Sequence, residues 1–275
     1  MAESNIPGVR VADTITKLSE ADRGLVMVAA SHGGVYPGYI TAAGKCRGVI
    51  LNDAGLGLDK AGIGSLDYLQ KLGIAAATVG HETAKIGDGA DMIAHGVLTH
   101  LNAAAAALGC RVGMSAAEAA RLMTEGPIPA GEAPEHEENR FLLLRDGAVP
   151  VWGIDSNSLV RPDDKGTIVV TGSHGAILGG KPETAIRVDA LAAVYHDAGI
   201  GKDKAGVSRL PALDPRGIGG ATVDGSTARI GDARSIWATG RISHVNKTAA
   251  SWGAKVGMSV PEFADVAMRH GTTTK

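Results

Sequence analysis

The chain has few of the residues that mark several common protein classes. It contains two cysteines, Cys46 and Cys110, and neither lies in a CxxC pair, which argues against a disulfide framework, a zinc ribbon and thioredoxin chemistry. Aromatic residues make up only 3% of the chain, and its charges nearly cancel at a net −2. Proteins that bind nucleic acid by neutralising phosphates and stacking bases have the opposite composition, so we expect no nucleic-acid partner.

Long apolar runs are also missing. The longest, such as residues 103–108, are far too short to span a bilayer. The first residues lack the basic segment and apolar stretch of a secretory signal peptide. Hydrophobic residues nevertheless make up 44% of the chain, enough for a sizeable core. We therefore expect a cytoplasmic, soluble protein with no membrane partner.

What the sequence does contain is an internal repeat. Asp53-Ala54-Gly55 returns as Asp197-Ala198-Gly199, and this offset of 144 holds without a gap as far as Val112-Gly113-Met114-Ser115 and its copy Val256-Gly257-Met258-Ser259. Upstream the offset is 142, so that two residues are inserted in the second copy between residues 176 and 191. So many ordered matches at one offset indicate a tandem duplication, with units at about 11–125 and 153–270.

The repeat divides the chain into a first α/β unit (residues 1–125), a linker (126–152) and a second α/β unit (153–275). The linker begins rich in proline, glycine and glutamate and continues as two apolar stretches around Asp146-Gly147, which predicts a β-hairpin. The expected fold is α/β, built from a duplicated parallel βαβ-type unit, with two similar halves related by pseudo-twofold symmetry. A homo-oligomer is also expected.

Strands and helices are predicted to alternate within each copy. Runs of β-branched and small residues predict buried strands over residues 24–30, 48–51 and 74–79, and over 167–171, 191–195 and 218–223. Apolar spacing predicts helices over 61–72, 93–108 and 115–123. Because parallel sheets bind ligands beyond the carboxyl ends of their strands, the polar motifs that follow the strands mark the expected site.

The first of these motifs is Ser31-His32-Gly33, repeated as Ser173-His174-Gly175. Its small residues would let backbone amides approach a substrate, and its histidine could transfer protons or bind a metal. The alternative is a turn in which the serine caps the next helix and the histidine is merely hydrogen-bonded. Adjacent side chains point apart, so a Ser31 nucleophile would need a base other than His32.

The second motif reads DAGxGxDKAG in both copies. Asp53 and Asp197 end buried strands, where a carboxylate could be a general base, a metal ligand or a substrate anchor, or could cap the glycine-rich turn. Asp59 and Asp203 are predicted to cap the following helix. The motif repeats a lysine, Lys60 and Lys204, that could neutralise an anionic substrate. His196, which stands where the first copy has an asparagine, could do the same.

The third motif follows the third strand. Asp88 and Asp232 precede a predicted helix and could cap it or help to bind an anion at its N-terminus. His100 and its copy His244 are second candidates for proton transfer, with Asp88 or Asp53 as the partner of His100. Asn102, two residues on and on another face of the predicted helix, is interpreted as structural. His81 and Glu82 occur only in the first copy.

These residues favour an enzyme, most simply a hydrolase of a small anionic or amide-containing metabolite, open or cyclic. His32 or His174 would be the acid–base group, Asp53 or Asp197 its orienting carboxylate, and Lys60 or Lys204 the anion anchor. A lyase or isomerase that abstracts a proton next to a carbonyl would use the same residues, and a non-catalytic metabolite-binding protein is the third hypothesis. No organic cofactor is predicted; a divalent metal could bind the histidines and aspartates, although no metal signature is present.

Overall fold

The computed structural model describes residues 2–3, 5–144 and 149–273. They form a mixed α/β structure with two mostly parallel sheets flanked by helices. Across the first sheet lie, in chain order, β1 (Ala2–Glu3), β2 (Val9–Ala12), β3 (Val26–His32), β4 (Gly48–Asn52), β5 (Ala75–Val79) and β6 (Leu98–Leu101). Across the second lie β7 (Arg140–Leu144), β8 (Val151–Ile154), β9 (Ile168–His174), β10 (Ala192–His196), β11 (Gly219–Val223) and β12 (Ile242–Val245).

The predicted strands form the parallel centre of each sheet. Strands β2 to β5 pair in parallel, as do β8 to β11, and their side chains are almost all buried because helices or loops cover both faces. The edge strands β1, β6, β7 and β12 pair antiparallel with their neighbours; of these, only the pairing of β7 with β8 was predicted, as a hairpin.

Helices flank the sheets, and buried apolar residues fill both faces of each. The first half contributes α1 (Val35–Ala43), α2 (Gly64–Gln70), α3 (Gly89–His95), α4 (Ala103–Ala107) and α5 (Ala116–Met123). The second half contributes α6 (Arg209–Leu213), α7 (Ala233–Thr239), α8 (Lys247–Ser251) and α9 (Val260–Thr273). Within the described ranges, no helix combines the length and apolar character needed to cross a membrane.

The prediction of one long helix over residues 93–108 is wrong, because strand β6 interrupts it. Helix α3 stops at Gly96, where a Cβ atom would lie 2.5 Å from the carbonyl oxygen of Met92. The chain then pairs with β5, and Asn102 starts α4 by accepting a hydrogen bond from the Ala105 N–H at 2.9 Å. The same amide donates to the carbonyl oxygen of Ile74 at 2.8 Å, so Asn102 is structural, as interpreted.

The helix predicted over residues 61–72 begins differently. A 3₁₀ segment, Leu58–Ile63, precedes α2, and within it Asp59 and Lys60 both have a φ of 55°. This left-handed backbone costs energy for residues with a side chain, so the rest of the structure must hold it. Asp203 and Lys204 repeat the conformation at 52° and 58°. Neither aspartate is a helix cap, which corrects the prediction.

The halves differ after their first central strands. Helix α1 follows β3, whereas the corresponding segment of the second half, residues 175–190, is irregular apart from one 3₁₀ turn, Pro182–Thr184. This is where the second copy carries its two-residue insertion. In place of the hydrogen bonds of an α-helix, the side chains of Arg209 and Arg216 donate hydrogen bonds to carbonyl oxygens of this segment.

The segment that joins the halves is held to the protein surface. Its Ala133 packs on the apolar cluster of the first half, and the Tyr68 hydroxyl donates to the Pro134 carbonyl oxygen at 2.8 Å. The two apolar stretches of the predicted hairpin form β7 and β8, which pair antiparallel. The predicted turn at Asp146-Gly147 lies outside the described residues.

Candidate active site

Three ion pairs join the loops of the two halves. Asp59 pairs with Arg229 at 2.5 Å, Lys85 with Asp203 at 2.9 Å, and Asp91 with Lys202 at 2.8 Å. A small apolar cluster lies with them and includes Ala54 and Ile86 from one half and Ala198 and Ile230 from the other. These contacts bring the ends of β3 and β9 together.

The predicted Ser-His motifs of both halves converge on one cavity of about 240 Å³. We call it the histidine cleft; His32 and His174 line it, together with Ser31 and Ser173. A neighbouring cavity of about 600 Å³, the outer cavity, shares His32, Tyr36 and Glu138 with it. The ends of two central strands, one from each sheet, therefore form a single cleft.

The histidines in the cleft are held as hydrogen-bond donors. Nδ1 of His32 accepts the Gly34 N–H at 3.1 Å, and Nδ1 of His174 accepts the Ala176 N–H at 3.3 Å. An imidazole nitrogen that accepts a hydrogen bond carries no proton, so each neutral ring has its proton on Nε2.

Both rings are neutral at pH 7. Burial, assisted by His196, lowers the pKa of His32 to about 4. Burial, assisted by the charge of Arg209, holds the pKa of His174 well below its ordinary value. An Nε2–H group of this kind is a poor proton acceptor but a good partner for developing negative charge, so the geometry favours electrophilic histidines over the predicted acid–base role.

The two serines connect the strand ends to neighbouring turns. Ser31 Oγ accepts the Ile15 N–H at 3.0 Å, and Ser173 Oγ accepts the Asn157 N–H at 2.8 Å. The proton of the Ser173 hydroxyl has no acceptor in the described part of the chain. Neither serine bonds the histidine beside it, in keeping with the expectation that these neighbours do not form a nucleophile–base pair.

Glu138 brings to the cleft a carboxyl group whose pKa lies near neutrality. It comes from the segment between the halves, lines both cavities and bonds the hydroxyls of Ser156 and Ser158. Burial and the nearby Asp155 raise the pKa of its carboxyl group to about 7. A group with this pKa can give or take a proton at neutral pH.

Arg209 is the buried cation of the cleft. It lines the cavity, is only 2% exposed and forms no ion pair with a described carboxylate. Lys17 and Arg187 also line the cleft but are exposed.

Asp53 and Asp197 lie outside the histidine cleft and order the glycine-rich loops. Oδ1 of Asp53 accepts N–H groups from Gly55 at 3.1 Å and from His81 at 3.0 Å, and Oδ2 accepts the Thr99 hydroxyl at 3.0 Å. Asp197 accepts the matching amides of Gly199 and Gly225 at 3.0 and 3.1 Å. Both aspartates thus cap the glycine-rich turns, which is the last of the roles considered for them.

Three residues predicted to bind substrate are engaged in hydrogen bonds inside the protein. His196 is fully buried, accepting the Ala198 N–H at Nδ1 (3.0 Å) and donating from Nε2 to the Ala228 carbonyl oxygen (3.1 Å). The amide of Gly33 donates to the Asn52 carbonyl oxygen at 2.7 Å, and that of Gly175 to His196 at 2.8 Å. Their hydrogen-bonding groups are thus occupied by the backbone and side chains of neighbouring strands.

The remaining predicted residues lie outside the histidine cleft. Asp88 and Asp232 cap α3 and α7, and Asp232 also lines the outer cavity. Lys60 is exposed and lines both the outer cavity and a third cavity of about 630 Å³, where His100 also lies. Lys204 and His244 line none of these three cavities.

His100 has neither Asp88 nor Asp53, the partners predicted for it, at its ring, and its copy His244 lies beside a serine. His100 lies on β6, and its buried Nδ1 has no hydrogen-bond partner among the described residues. His244 lies on β12, with Nδ1 3.3 Å from the Ser243 hydroxyl. The histidine that does pair with Asp53 is His81, whose Nδ1 lies 2.8 Å from Oδ1.

Glu138, Asn157 and Arg209 line the cleft but were not among the predicted residues. Arg209 could have been found by the internal comparison, because the first copy has Ser65 at the matching position. Glu138 gave no signal, since it stands in a glutamate-rich stretch that resembles a solvated linker. Only the path of that segment past His32 brings it to the cleft.

No group of three or more histidine, cysteine, aspartate or glutamate side chains is arranged to hold a metal ion in the portion of the chain described here. Comparisons of the chain with protein-family models, with curated proteins and with solved structures give no significant match. The histidine cleft is therefore the basis on which a function can be argued.

Proposed function

We propose that the protein is a hydrolase, that its substrate is a small anionic metabolite with an open or cyclic amide bond, and that the histidine cleft is its active site. The observation that carries this proposal is the meeting of Glu138, whose pKa is raised to about 7, with the neutral imidazoles of His32 and His174 along one cavity. A proton-transfer group and two positioned N–H donors are what amide hydrolysis requires.

In the proposed reaction Glu138 acts first as a base and then as an acid. Ionised Glu138 takes a proton from water while the water oxygen bonds to the amide carbon. The carbonyl oxygen then gains negative charge, which the Nε2–H groups of His32 and His174 stabilise. As the carbon–nitrogen bond breaks, Glu138 returns the proton to the leaving nitrogen, so the carboxylate is regenerated.

We also infer that the two halves arose by tandem duplication and are related by pseudo-twofold symmetry. The repeated motifs support this inference, as do matched contacts such as those of Ser31 with Ile15 and Ser173 with Asn157. On this proposal the copies share one site, because their Ser-His motifs line one cleft. A homo-oligomer and a cytoplasmic location stay predictions.

The test is a turnover assay in ¹⁸O-labelled water with a panel of N-acyl and ureido acids and their cyclic forms. We expect ¹⁸O in the carboxylate of the product, and a loss of about a hundredfold or more in kcat for Glu138→Gln and for His174→Gln. Glu135→Gln, an exposed change in the same segment, is the matched control and should retain activity.

Other outcomes decide between the remaining functions. Turnover without solvent oxygen in the product would instead indicate a lyase or isomerase that uses Glu138 to abstract a proton. Binding of the panel compounds without any turnover would indicate a metabolite-binding protein. Full activity of both active-site variants would refute the roles given to Glu138 and His174.

A further inference from the structure

We propose that Arg209 and Asn157 form a carboxylate-recognition subsite within the histidine cleft, and that its ligand is a carboxylic acid with an N–H group nearby, as in an N-acylated or ureido acid. The inference deepens the proposed function by naming the substrate class. It can nevertheless be tested by binding alone.

The first support is the state of Arg209. Its Nε donates to the Ala176 carbonyl oxygen at 2.8 Å, its Nη1 donates to Ala185, and its guanidinium lies 5.0 Å from the centre of the Tyr195 ring. A guanidinium has more N–H donors than these contacts use. The groups that it contacts are neutral, and the carboxylates of the cleft, Glu138 and Glu183, form no ion pair with it, although buried charges are usually paired. A carboxylate in the cleft would supply the missing counter-charge in a geometry that guanidinium groups favour.

The second support is the set of groups around it. The cleft is also lined by the hydroxyl groups of Thr14, Ser31 and Ser173, and by the two Nε2–H histidines. Lys17 and Arg187 add positive charge at exposed positions. Glu138 and Glu183 also line the cleft, but Arg209, Lys17 and Arg187 outnumber them, so the positive charges and the N–H and O–H donors together favour an anionic ligand.

Asn157 adds the one acceptor that lacks a donor. It lines the cleft, and its Oδ1 atom is buried without a hydrogen-bond partner among the described residues. A buried carbonyl oxygen without a hydrogen bond destabilises the folded protein. A ligand N–H group that bonds to it would therefore gain binding free energy. The cleft thus offers donors for a carboxylate and an acceptor for an N–H group.

The subsite is a feature of the second copy alone. The backbone N–H of Arg209 donates to the Gly175 carbonyl oxygen at 2.8 Å, as that of Ser65 does to Gly33 at 2.8 Å in the first half. The backbones therefore match, but Ser65 carries no charge. We expect one carboxylate per chain rather than two.

The experiment measures binding of three probes to the full chain by titration calorimetry at pH 7.5: acetate, N-acetylglycine and the neutral N-methylacetamide. The variants are Arg209→Met and Asn157→Ala. Arg216→Met is the matched control, because Arg216 also holds segment 175–190, through Ile186, but does not line the cleft. Lys204→Met controls for loss of one positive charge away from the cavities.

We expect the wild type to bind N-acetylglycine more tightly than acetate, and N-methylacetamide least. Arg209→Met should weaken both carboxylates at least about tenfold, and Asn157→Ala should weaken N-acetylglycine alone, while both controls stay within about twofold. If Arg209→Met does not fold, the Arg209 Nε–H resonance of the wild type, assigned with Arg209→Lys, must shift when N-acetylglycine is added.

Equal affinity of wild type and Arg209→Met, an unmoved Arg209 resonance, or no carboxylate binding by the wild type would overturn the subsite. Arg209-dependent binding without hydrolysis of any such acid would leave the subsite intact and refute the hydrolase. Hydrolysis at an unchanged rate in Arg209→Met would support the hydrolase and refute the subsite.

Discussion

Gly55 and Gly199, one from each half, face each other so closely that no side chain fits between them. A Cβ atom on Gly55 would lie 2.7 Å from the Cα of Gly199, and one on Gly199 would lie 2.9 Å from the Cα of Gly55. Both residues have a left-handed backbone, with φ of 71° and 69°. The glycine-rich loops of the two halves are thus in direct backbone contact with each other.

The first prediction concerns that contact. Gly55→Ala should destabilise the protein by about 1–3 kcal/mol more than Gly73→Ala, because the new methyl group must displace the opposite loop. Gly73 is the matched control: its φ is 69°, and nothing lies within 4 Å of a Cβ built there. Urea unfolding of both variants gives the difference, and equal losses would show that the close approach carries no energy.

The second prediction is a pH dependence at His81. Its hydrogen bond to Asp53, opposed by burial, raises the pKa of His81 above its ordinary 6.5. The protonated ring therefore stabilises the folded chain below pH 6.5, and this gain is lost as pH rises through the higher folded-state pKa. His81→Gln should cost on the order of 1 kcal/mol at pH 6 and less at pH 9.

The measurement is the free energy of unfolding of wild type and His81→Gln from pH 5.5 to 9.5. His136→Gln, the same substitution at an exposed histidine, is the control. A loss that grows with pH would contradict the assigned sign.

The third prediction uses the repeat itself. Asn52 bonds the Ala54 N–H at 2.9 Å and the Ala84 carbonyl oxygen at 3.0 Å, and His196 makes the matching two contacts in the second half. His196→Asn should therefore lower the free energy of unfolding by less than about 1.5 kcal/mol, whereas His196→Ala should lower it by about 2–4 kcal/mol. Thermal or urea unfolding distinguishes them; ligand binding that is lost in a stable His196→Asn protein would restore a substrate role for this residue.

The fourth prediction concerns the carboxyl group of Glu138. Its pKa rises from 4.5 to about 7 on folding, so the folded state favours the neutral form and wild type loses stability as pH rises across that interval. Glu138→Gln mimics the neutral form. It should be the more stable protein at pH 8, by on the order of 1–3 kcal/mol, and should show no such gain at pH 4.

Unfolding curves at the two pH values provide the measurement, with Glu135→Gln as the exposed control. A Glu138→Gln protein that equals wild type at both pH values would mean that the carboxyl group titrates normally. The raised pKa would then no longer support the acid–base role of Glu138.

The edges of the fold show where reasoning from the sequence reached its limit. The central strands were predictable because a strand buried on both faces needs a continuous apolar run. The strand at Leu98–Leu101 was not, since the alanine-rich sequence around it has high helix propensity. Pairing with β5 and the end of α3 at Gly96 override that propensity, and both depend on contacts made in the folded chain.

The sequence by itself determined the alternation of strands and helices, the internal repeat and the four side chains Ser31, His32, Ser173 and His174 as candidates. These follow from local patterns and from comparing the copies. Tertiary structure decided their chemistry. Backbone amides hold the imidazoles as donors, burial lowers their pKa, and the fold brings Glu138 and Arg209 to the cleft from segments distant in sequence. Desolvation and contacts between distant segments depend on the packed chain, and no local pattern encodes them.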